Sequence, residues 1–222
     1  MMLNRYFGIT AGLLIILLIY SPHIDQWLAI LFFNPNSRYF YGETSLYCKF
    51  IYSSITWITT ILILLPILML VFSKKIQWFG SSRITRKLAL IMLLSMTLGP
   101  GLLVNVAFKN NWGRPRPYQV IRDGATFMPV WQHNFNGSKD NSFPSGHASI
   151  GFFLGVPLLA LGYRRRGLLV SCIGGSLVGI VRIAQGGHYF SDIVFAGIFV
   201  WLSAELAVYI INSLDQKGIL GE

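Results

Sequence analysis

Long apolar stretches separated by short, positively charged loops constrain this chain more than any other feature. The clearest stretch runs from Phe50 to Phe72 without a charged residue, and about 20 residues are enough for a helix to cross a bilayer. Only 12% of the 222 residues are charged, which is roughly half the share found in ordinary soluble domains. The chain is therefore predicted to be an integral membrane protein.

Six apolar runs predict an all-α, polytopic membrane protein with six transmembrane helices in one domain, residues 1–222. The runs are Phe7–Tyr20, Phe50–Phe72, Leu88–Phe108, His147–Tyr163, Gly167–Val181 and Ile193–Ile211. The first is similar to a signal peptide, but no cleavage pattern follows it, so we predict a retained span. The apolar residues from Ile24 to Leu31 either extend this span or lie on the membrane surface. In the third run, Gly99-Pro100-Gly101 predicts a bend.

The charged loops predict the orientation of these spans. The net charge of +10 could indicate nucleic acid as a partner. The basic residues cluster in short loops, however, which favours membrane orientation and anionic substrates instead. Loops 73–87 and 164–166 lie on one side and hold eight Lys and Arg, so this side is predicted to be cytoplasmic. Loops 109–146 and 182–192 then face outward, away from the cytoplasm.

The loop before the last span combines an imidazole with a carboxylate and a guanidinium. His188 and Asp192 are four residues apart and would share one face of a helix. The carboxylate can then hold one ring N–H and leave the other nitrogen free to attack. Arg182 offers a planar set of donors suited to phosphate. The alternative is an ordinary histidine and arginine at the membrane interface.

Two further clusters are predicted on the same side of the membrane. Lys109, Arg114 and Arg116 fall within eight residues that two prolines stiffen, which indicates an anion site. The second cluster is Pro144-Ser145-Gly146-His147, where the fourth span begins. A helix start offers free N–H groups and a positive dipole end to a phosphate. The histidine there is placed to protonate a leaving oxygen.

These three clusters resemble the motifs of the type 2 phosphatidic acid phosphatase superfamily, which are K-x6-R-P, P-S-G-H and S-R-x5-H-x3-D. Residues 109–117, 144–147 and 182–192 match them in order, except that Val181 replaces the usual serine of the third. The resemblance implies the helical core of that family, phosphatase activity, and no metal or other cofactor.

The resemblance also implies a role for each matching residue. His188 would be the nucleophile that forms a phosphohistidine, and Asp192 would orient it. His147 would be the general acid and then the base. The phosphate would be held by Lys109, Arg116, Arg182, Ser145 and Gly146. Arg114 lies outside the motif and is expected either to contact a second anionic group or to keep the loop soluble.

The predicted substrate is a membrane lipid phosphate, because the site faces the bilayer surface. Runs 112–117 and 185–192 are similar to those of bacterial lipid A phosphatases, with the 4′-phosphatase branch favoured. Together with the outward-facing loops, this likeness implies a bacterial inner-membrane protein with a periplasmic site. The 1-phosphate of lipid A, undecaprenyl pyrophosphate, phosphatidylglycerol phosphate and phosphatidate stay open. A lipid-phosphate binding or transport protein is a second class, although binding alone would need only the cations. A third class is a metal-dependent hydrolase using His133, His147 and His188. No feature of the sequence indicates an oligomeric state.

Some residues of the spans carry predictions of their own. Gly151 and Gly155 in the fourth run, and Gly175 and Gly179 in the fifth, have the spacing of closely packed membrane helices. Their contact would bring His147 near Arg182. Two more predictions concern single residues: Glu205 is expected to make a structural hydrogen bond, and Cys48 and Cys172 are expected never to form a disulfide, because they lie at opposite ends of their spans.

Overall fold

The computed structural model describes residues 2–73, 75, 81–135 and 141–218, with the side chains of residues 2–14 and 17 excepted. Its helices are α1 (Met2–Leu31), α2 (Tyr41–Thr44), α3 (Leu46–Val71), α4 (Ser82–Met96), a π-helix (Thr97–Lys109), α5 (Pro117–Ile121), α6 (Gly146–Phe153), α7 (Val156–Ala160), α8 (Arg164–Ala184) and α9 (Phe190–Gln216). A two-stranded hairpin, β1 (Phe33–Asn34) and β2 (Tyr39–Phe40), follows α1. The prediction of an all-α protein is confirmed.

Four helical segments of the described chain are long and apolar enough to cross a membrane. They are Leu46–Val71, Ser82–Lys109, Arg164–Ala184 and Phe190–Gln216. They correspond to the second, third, fifth and sixth predicted spans. The chain is therefore a multi-pass membrane protein by length and composition, and the count of six spans stays a prediction.

The third span changes its helical geometry where the sequence predicts a bend. The α-helix ends at Met96 and continues as a π-helix that contains Pro100. Proline has no N–H to donate and disturbs the preceding turn, and the amide of Asn105 donates to the Pro100 carbonyl at 2.6 Å. The π-helix ends at Lys109 and so presents this cation at the end of the span.

The fourth predicted span is a broken helix made of α6 and α7. Pro157 cannot donate to the Phe153 carbonyl, and α6 ends at that phenylalanine. A Cβ atom at Gly151 would lie 2.6 Å from the Gly174 carbonyl oxygen, so α6 and α8 touch backbone to backbone. The prediction that Gly179 also lies in this contact is wrong. Gly179 faces Ile193 of α9, where a Cβ atom would lie 2.5 Å from a methyl group.

Helix α1, which contains the first predicted span, extends to Leu31. The hairpin then turns the chain back over the third motif. Phe40 in β2 is fully buried. Gly186, which has a φ of +63°, lies so close to it that a Cβ atom there would be 2.6 Å from the Phe40 ring. Glycine adopts this left-handed conformation without strain. The hairpin thereby packs on the loop that carries His188.

We call the end of the bundle that carries residues 109–117, 141–147 and 182–192 the site end. At the opposite end, Asp215 pairs with Arg83 at 2.8 Å and with Lys87 at 3.1 Å. Glu205 pairs there with Arg164 at 2.8 Å, an ion pair where the sequence predicts a structural hydrogen bond. Both cysteines are free, with Cys48 buried on α3 and Cys172 exposed on α8.

Candidate active site

His188 lies in the loop between α8 and α9 and is 1% exposed. Its Nδ1 is 2.6 Å from the carbonyl oxygen of Ser142. A carbonyl oxygen only accepts hydrogen bonds, so Nδ1 carries the proton. The other ring nitrogen, Nε2, is buried without a hydrogen-bond partner among the described residues. The fold therefore holds His188 in the tautomer whose Nε2 lone pair is available.

Asp192 contributes to this arrangement less directly than the sequence predicts. His188 and Asp192 do not share a helix face, because α9 begins only at Phe190. The carboxylate Oδ2 lies 3.6 Å from His188 Nδ1, which is beyond hydrogen-bonding distance. The same oxygen accepts the backbone N–H of Tyr189 at 2.8 Å. Asp192 is thus a nearby negative charge, while the Ser142 carbonyl fixes the tautomer.

The surroundings of His188 keep its ring neutral. Burial lowers the pKa of His188 from 6.5 to about 3, with Arg182 and Arg116 acting in the same direction and Asp192 in opposition. Desolvation disfavours the charged imidazolium, and nearby cations add to that effect. At neutral pH the ring is an uncharged imidazole, which is the form that can act as a nucleophile.

Arg114 occupies a place that neither expectation from the sequence describes. Its side chain is 0% exposed and lies between two carboxylates, with Nη2 2.8 Å from Asp25 and Nη1 2.5 Å from Asp192. It also donates to Ser191 Oγ at 2.9 Å and to the Met128 carbonyl at 2.9 Å. These bonds hold the guanidinium inside the protein. It is therefore directed neither to a second anionic group of a ligand nor to solvent.

His147 lies at the start of α6, and its ring stacks on Tyr52 of α3. The ring centroids are 4.4 Å apart and the planes differ by 19°. The guanidinium carbon of Arg182 lies 4.8 Å from the centroid of the same tyrosine ring. Tyr52 therefore contacts both His147 and Arg182, and it joins the second and third motifs through a helix that contains neither.

Arg182, at the end of α8, is held in place by its own loop. It is 7% exposed, and its Nη1 donates to the side-chain oxygen of Gln185 at 2.6 Å. Gly187 leaves room for the guanidinium, because a Cβ atom there would overlap it. Val181, which replaces the serine of the motif, is buried in an apolar cluster with Cys48.

Lys109 and Arg116, like Arg182, lie close enough to the histidines to act on them electrostatically. A Cβ atom at Gly146 would lie 3.4 Å from Lys109 Nζ and 3.1 Å from Asn105 Oδ1, so the lysine reaches the start of α6. Arg116 and Arg182 act electrostatically on both histidines, and Lys109 acts on His147. The structure thus brings all three predicted phosphate-binding cations to the two histidines.

Ser145 caps the helix that carries His147. It is fully buried, and its hydroxyl oxygen accepts the backbone N–H of Ala148 at 3.3 Å. Its own N–H donates to the Asp192 carbonyl oxygen at 3.3 Å. The serine therefore links the start of α6 to α9, and its hydroxyl proton is still available to a ligand, because the cap uses only the oxygen.

A cleft of about 330 Å³ leads to this group of residues. It runs between α3, the π-helix and α6. Its lining residues are Ile55, Thr56, Thr59, Thr60, Asn105, Lys109, Gly146, His147 and Ile150. The cleft begins among the apolar and hydroxyl side chains of α3 and ends at a lysine and a histidine, so it can take a molecule with an apolar part and an anionic end.

The structure adds residues that the motifs do not contain. Tyr52 has no special signal in its apolar run, and the role of the Ser142 carbonyl has none. Asp25 could have been noticed as an acid within a predicted span extension, since such acids are functional candidates. His133 is exposed and contacts Phe135, with ring centroids 4.3 Å apart. Lys139, in the same loop as His133, lies outside the described residues.

The metal-dependent alternative requires a cluster of ligands. Within the described ranges, no group of three His, Cys, Asp or Glu side chains is arranged to hold a metal ion. His133 therefore does not join His147 and His188 in such a group. A chelator remains the direct test of this alternative.

Comparison with known proteins gives a family and several relatives. Residues 88–215 match the model of the PAP2 superfamily. A lipid A 4′-phosphatase of Francisella tularensis subsp. novicida is 33% identical over 187 residues, which are 82% of this chain and 83% of that protein. A lipid A 4′-phosphatase of Rhizobium etli is 35% identical over 143 residues, 63% of this chain and 53% of that protein.

A third relative has a less specific name. An acid phosphatase of Zymomonas mobilis is 34% identical over 101 residues, which cover 45% of this chain and 35% of that protein. No solved structure matches the chain. All three motifs lie inside the family match, whereas Asp25 and Tyr52 lie before it.

Proposed function

The chain belongs to the PAP2 superfamily, and from that premise we propose that it removes a phosphate from a membrane lipid through a phosphohistidine, with the 4′-phosphate of lipid A as substrate. The observation that carries the mechanism is the buried, neutral His188, whose Nε2 has no hydrogen-bond partner among the described residues and whose ring is within the electrostatic reach of Arg182 and Arg116. The substrate is supported by two relatives that are named lipid A 4′-phosphatases, one of them aligned along most of the chain.

In the first step, Nε2 of His188 attacks phosphorus. The Nε2–P bond forms, the bond from phosphorus to the lipid oxygen breaks, and the electron pair stays on that oxygen. Nδ1 keeps its proton and donates a hydrogen bond to the Ser142 carbonyl oxygen, so the ring gains a positive charge. The nearby Asp192 carboxylate favours that charge.

The three cations hold the phosphate oxygens during this step. Lys109, Arg116 and Arg182 offer charged donors where negative charge accumulates in the transition state. The Ser145 hydroxyl and the Gly146 N–H add neutral donors at the start of α6. Tyr52 keeps the Arg182 guanidinium against its ring, which limits the positions that the guanidinium can take.

His147 is the proposed general acid. It gives a proton to the lipid oxygen as the P–O bond breaks, and in the second step it takes a proton from the attacking water. Water then forms a new P–O bond, the Nε2–P bond breaks, and phosphate leaves with His188 neutral again. The cations around His147 repel a proton and bound phosphate attracts one, so we expect protonation to accompany substrate binding.

The substrate of a lipid phosphatase must reach the site from the bilayer, and the cleft beside α3 supports such access. Its α3 side is lined by Ile55, Thr56, Thr59 and Thr60 within a helix long enough to span the membrane. A lipid could keep its acyl chains in the bilayer while its phosphate reaches Lys109 and His147. This geometry favours a lipid over a soluble phosphate ester.

The decisive experiment measures phosphate release by the purified protein in detergent. The substrates are lipid A, undecaprenyl pyrophosphate, phosphatidylglycerol phosphate and phosphatidate, each assayed with and without a chelator. We expect lipid A to be the best substrate, to lose its 4′-phosphate by mass spectrometry of the product, and to be unaffected by chelation. Faster phosphate release from another lipid would identify that lipid, and not lipid A, as the substrate. Loss of activity with chelator would support the metal-dependent class.

The binding or transport alternative makes a different prediction in the same assay. A protein that only binds the lipid phosphate would release none from any substrate, and its His188→Ala variant would bind as well as the unmodified chain. A catalytic His188 instead predicts measurable release that this substitution abolishes.

We further propose that the site end faces the periplasm across the inner membrane. Cysteine at Gln132, in a background with Cys172→Ser, should react with an impermeant thiol reagent in intact spheroplasts. Cysteine at Arg165, exposed at the opposite end, should react only after lysis. The reverse pattern would invert the topology.

A further inference from the structure

A buried cluster of charges links α1 to the catalytic loop. Asp25, Arg114, Ser191 and Asp192 are all 0% exposed. Asp25 accepts hydrogen bonds from Arg114 Nη2 at 2.8 Å, from the Ser191 N–H at 2.8 Å and from Ser191 Oγ at 2.6 Å. It lies 166 residues from Ser191 in sequence and does not line the cleft.

The charges of this cluster do not cancel. Arg114 lies between Asp25 and Asp192, and Asp192 in turn approaches the His188 ring at 3.6 Å. With Asp192 alone, the arginine would form a neutral pair and leave little negative charge for the ring. The second carboxylate, Asp25, gives the three groups a net charge of −1. Such charges interact strongly because water is excluded from the cluster.

We infer that Asp25 is a positioning residue of the catalytic centre: it balances Arg114, so that the Asp192 carboxylate keeps its negative charge for His188. The inference rests on the proposed function, in which the His188 ring becomes positive as its Nε2 bonds to phosphorus. Asp25 touches neither the ring nor the phosphate, so it acts through Arg114 and Asp192. It favours the charged ring of the intermediate over the neutral ring of the free enzyme.

A purely structural role would have different consequences. If Asp25 only fastened α1 to the bundle, each hydrogen bond removed from the cluster would add to the damage. A charge-balancing role predicts compensation instead, because removing the positive charge of Arg114 together with the negative charge of Asp25 restores a net charge of −1. The double variant Asp25→Asn with Arg114→Gln separates the two roles.

The experiment follows single-turnover phosphoenzyme formation from a nitrophenyl phosphate in detergent. The Asp25→Asn variant should form phosphohistidine about tenfold to a hundredfold more slowly at saturating substrate. A nearby buried charge shifts the equilibrium between a neutral and a charged side chain by roughly one to two powers of ten, and the same charge acts on the ring of His188 as it becomes positive. The half-saturating concentration should stay within about twofold of the unmodified protein. The double variant should recover to within about tenfold of the unmodified rate.

Two controls accompany these variants. Asp123→Asn removes an exposed aspartate that pairs with Arg122 at 3.2 Å, and it should leave the rate unchanged. His188→Ala tests the proposed function itself. If it still forms phosphoenzyme, the proposed function fails, whereas an inactive His188→Ala beside a normal Asp25→Asn refutes this inference alone.

Three further results would overturn the inference. They are a double variant no faster than Asp25→Asn, an Asp25→Asn variant within twofold of the unmodified rate, and a loss that appears only as a higher half-saturating concentration. If Asp25→Asn does not fold, Asp25→Glu decides the question because it keeps the charge. It should retain at least about a tenth of the rate, and a folded Asp25→Glu protein as slow as His188→Ala would refute the inference.

Discussion

Two arginine–aspartate pairs, one at each end of the helix bundle, use the same chemical groups in opposite surroundings. At the site end, Arg114 and Asp192 are both 0% exposed. At the opposite end, the side chains of Arg83 and Asp215 are 52% and 14% exposed, with nitrogen and oxygen 2.8 Å apart. The buried pair has Asp25, Ser191 and backbone groups around it, whereas the other has solvent and Lys87.

The difference indicates what each pair can do for the protein. An exposed pair is screened by water and salt, so it contributes little and constrains little. A buried pair keeps its field, and it is stable only with a complete set of partners. At the site end this field reaches His188, so the same residues that bind α1 to α9 also set the charge beside the proposed nucleophile.

The largest expected effect belongs to the histidines of the site end. His188→Ala should lower turnover of lipid and aryl phosphates alike, on the order of 10⁴-fold or more, because no covalent intermediate can form. His147→Ala should cost about 10²–10⁴-fold on the lipid but little on a nitrophenyl phosphate, whose leaving group needs no proton. Trapping of radiolabelled phosphate on the protein in single turnovers measures both.

The exposed His133, in the loop before α6, provides the matched control for these histidines. His133→Ala should behave like the unmodified protein with either substrate. Label trapped on His188→Ala but not on His147→Ala would exchange the two proposed roles.

The second prediction compares the two ion pairs directly by their stability. Arg114→Gln leaves Asp25 and Asp192 without their shared cation, and breaking a buried pair costs about 3–5 kcal/mol. Arg83→Gln should change the unfolding temperature little, because water replaces the lost contact. Thermal unfolding in detergent, followed by tryptophan fluorescence, measures both. Equal shifts for the two variants would contradict the importance of burial.

The third prediction concerns the packing that brings the motifs together. In Gly151→Ala the new methyl group would meet the Gly174 backbone at 2.6 Å, so α6 and α8 should move apart and shift His147 from Arg182. A displacement near 1 Å can cost about a hundredfold in rate. Leu177→Ala, on an exposed part of α8, is the control. Normal turnover of the folded Gly151→Ala protein would show that catalysis does not depend on this contact between α6 and α8.

The smallest expected effect is in the pH dependence of the first step. Because burial lowers the pKa of His188 to about 3, its ring stays neutral as the pH falls from 7 to 5. The neutral fraction of an ordinary imidazole, with a pKa near 6.5, would fall about 25-fold over that range. In His147→Ala, kcat/KM for phosphoenzyme formation from nitrophenyl phosphate should therefore not show that loss. A fall of about 25-fold would contradict the lowered pKa of His188.

The sequence by itself determined the chemistry of the site end. Apolar runs of about 20 residues predict spans because backbone groups in a bilayer must bond within their own helix, and the order of those runs predicts that the three motifs meet at one end. Lys109, Ser145, Arg182 and His188 match the family motifs, and their side chains are of the types that phosphate transfer uses. These inferences depend on local residue patterns and on the order of the spans along the chain, and both can be read from the sequence.

The tertiary structure decided which groups touch. The Ser142 carbonyl oxygen, not the Asp192 carboxylate, accepts the hydrogen bond from His188 Nδ1–H. A backbone carbonyl has no sequence signal, because every residue has one. Arg114 could not be assigned to the interior from its loop, since its partner Asp25 lies on α1, 89 residues away. Tyr52 stacks on His147 only because α3 packs beside α6. Contacts between distant segments follow from helix packing, which depends on the whole set of side chains at once.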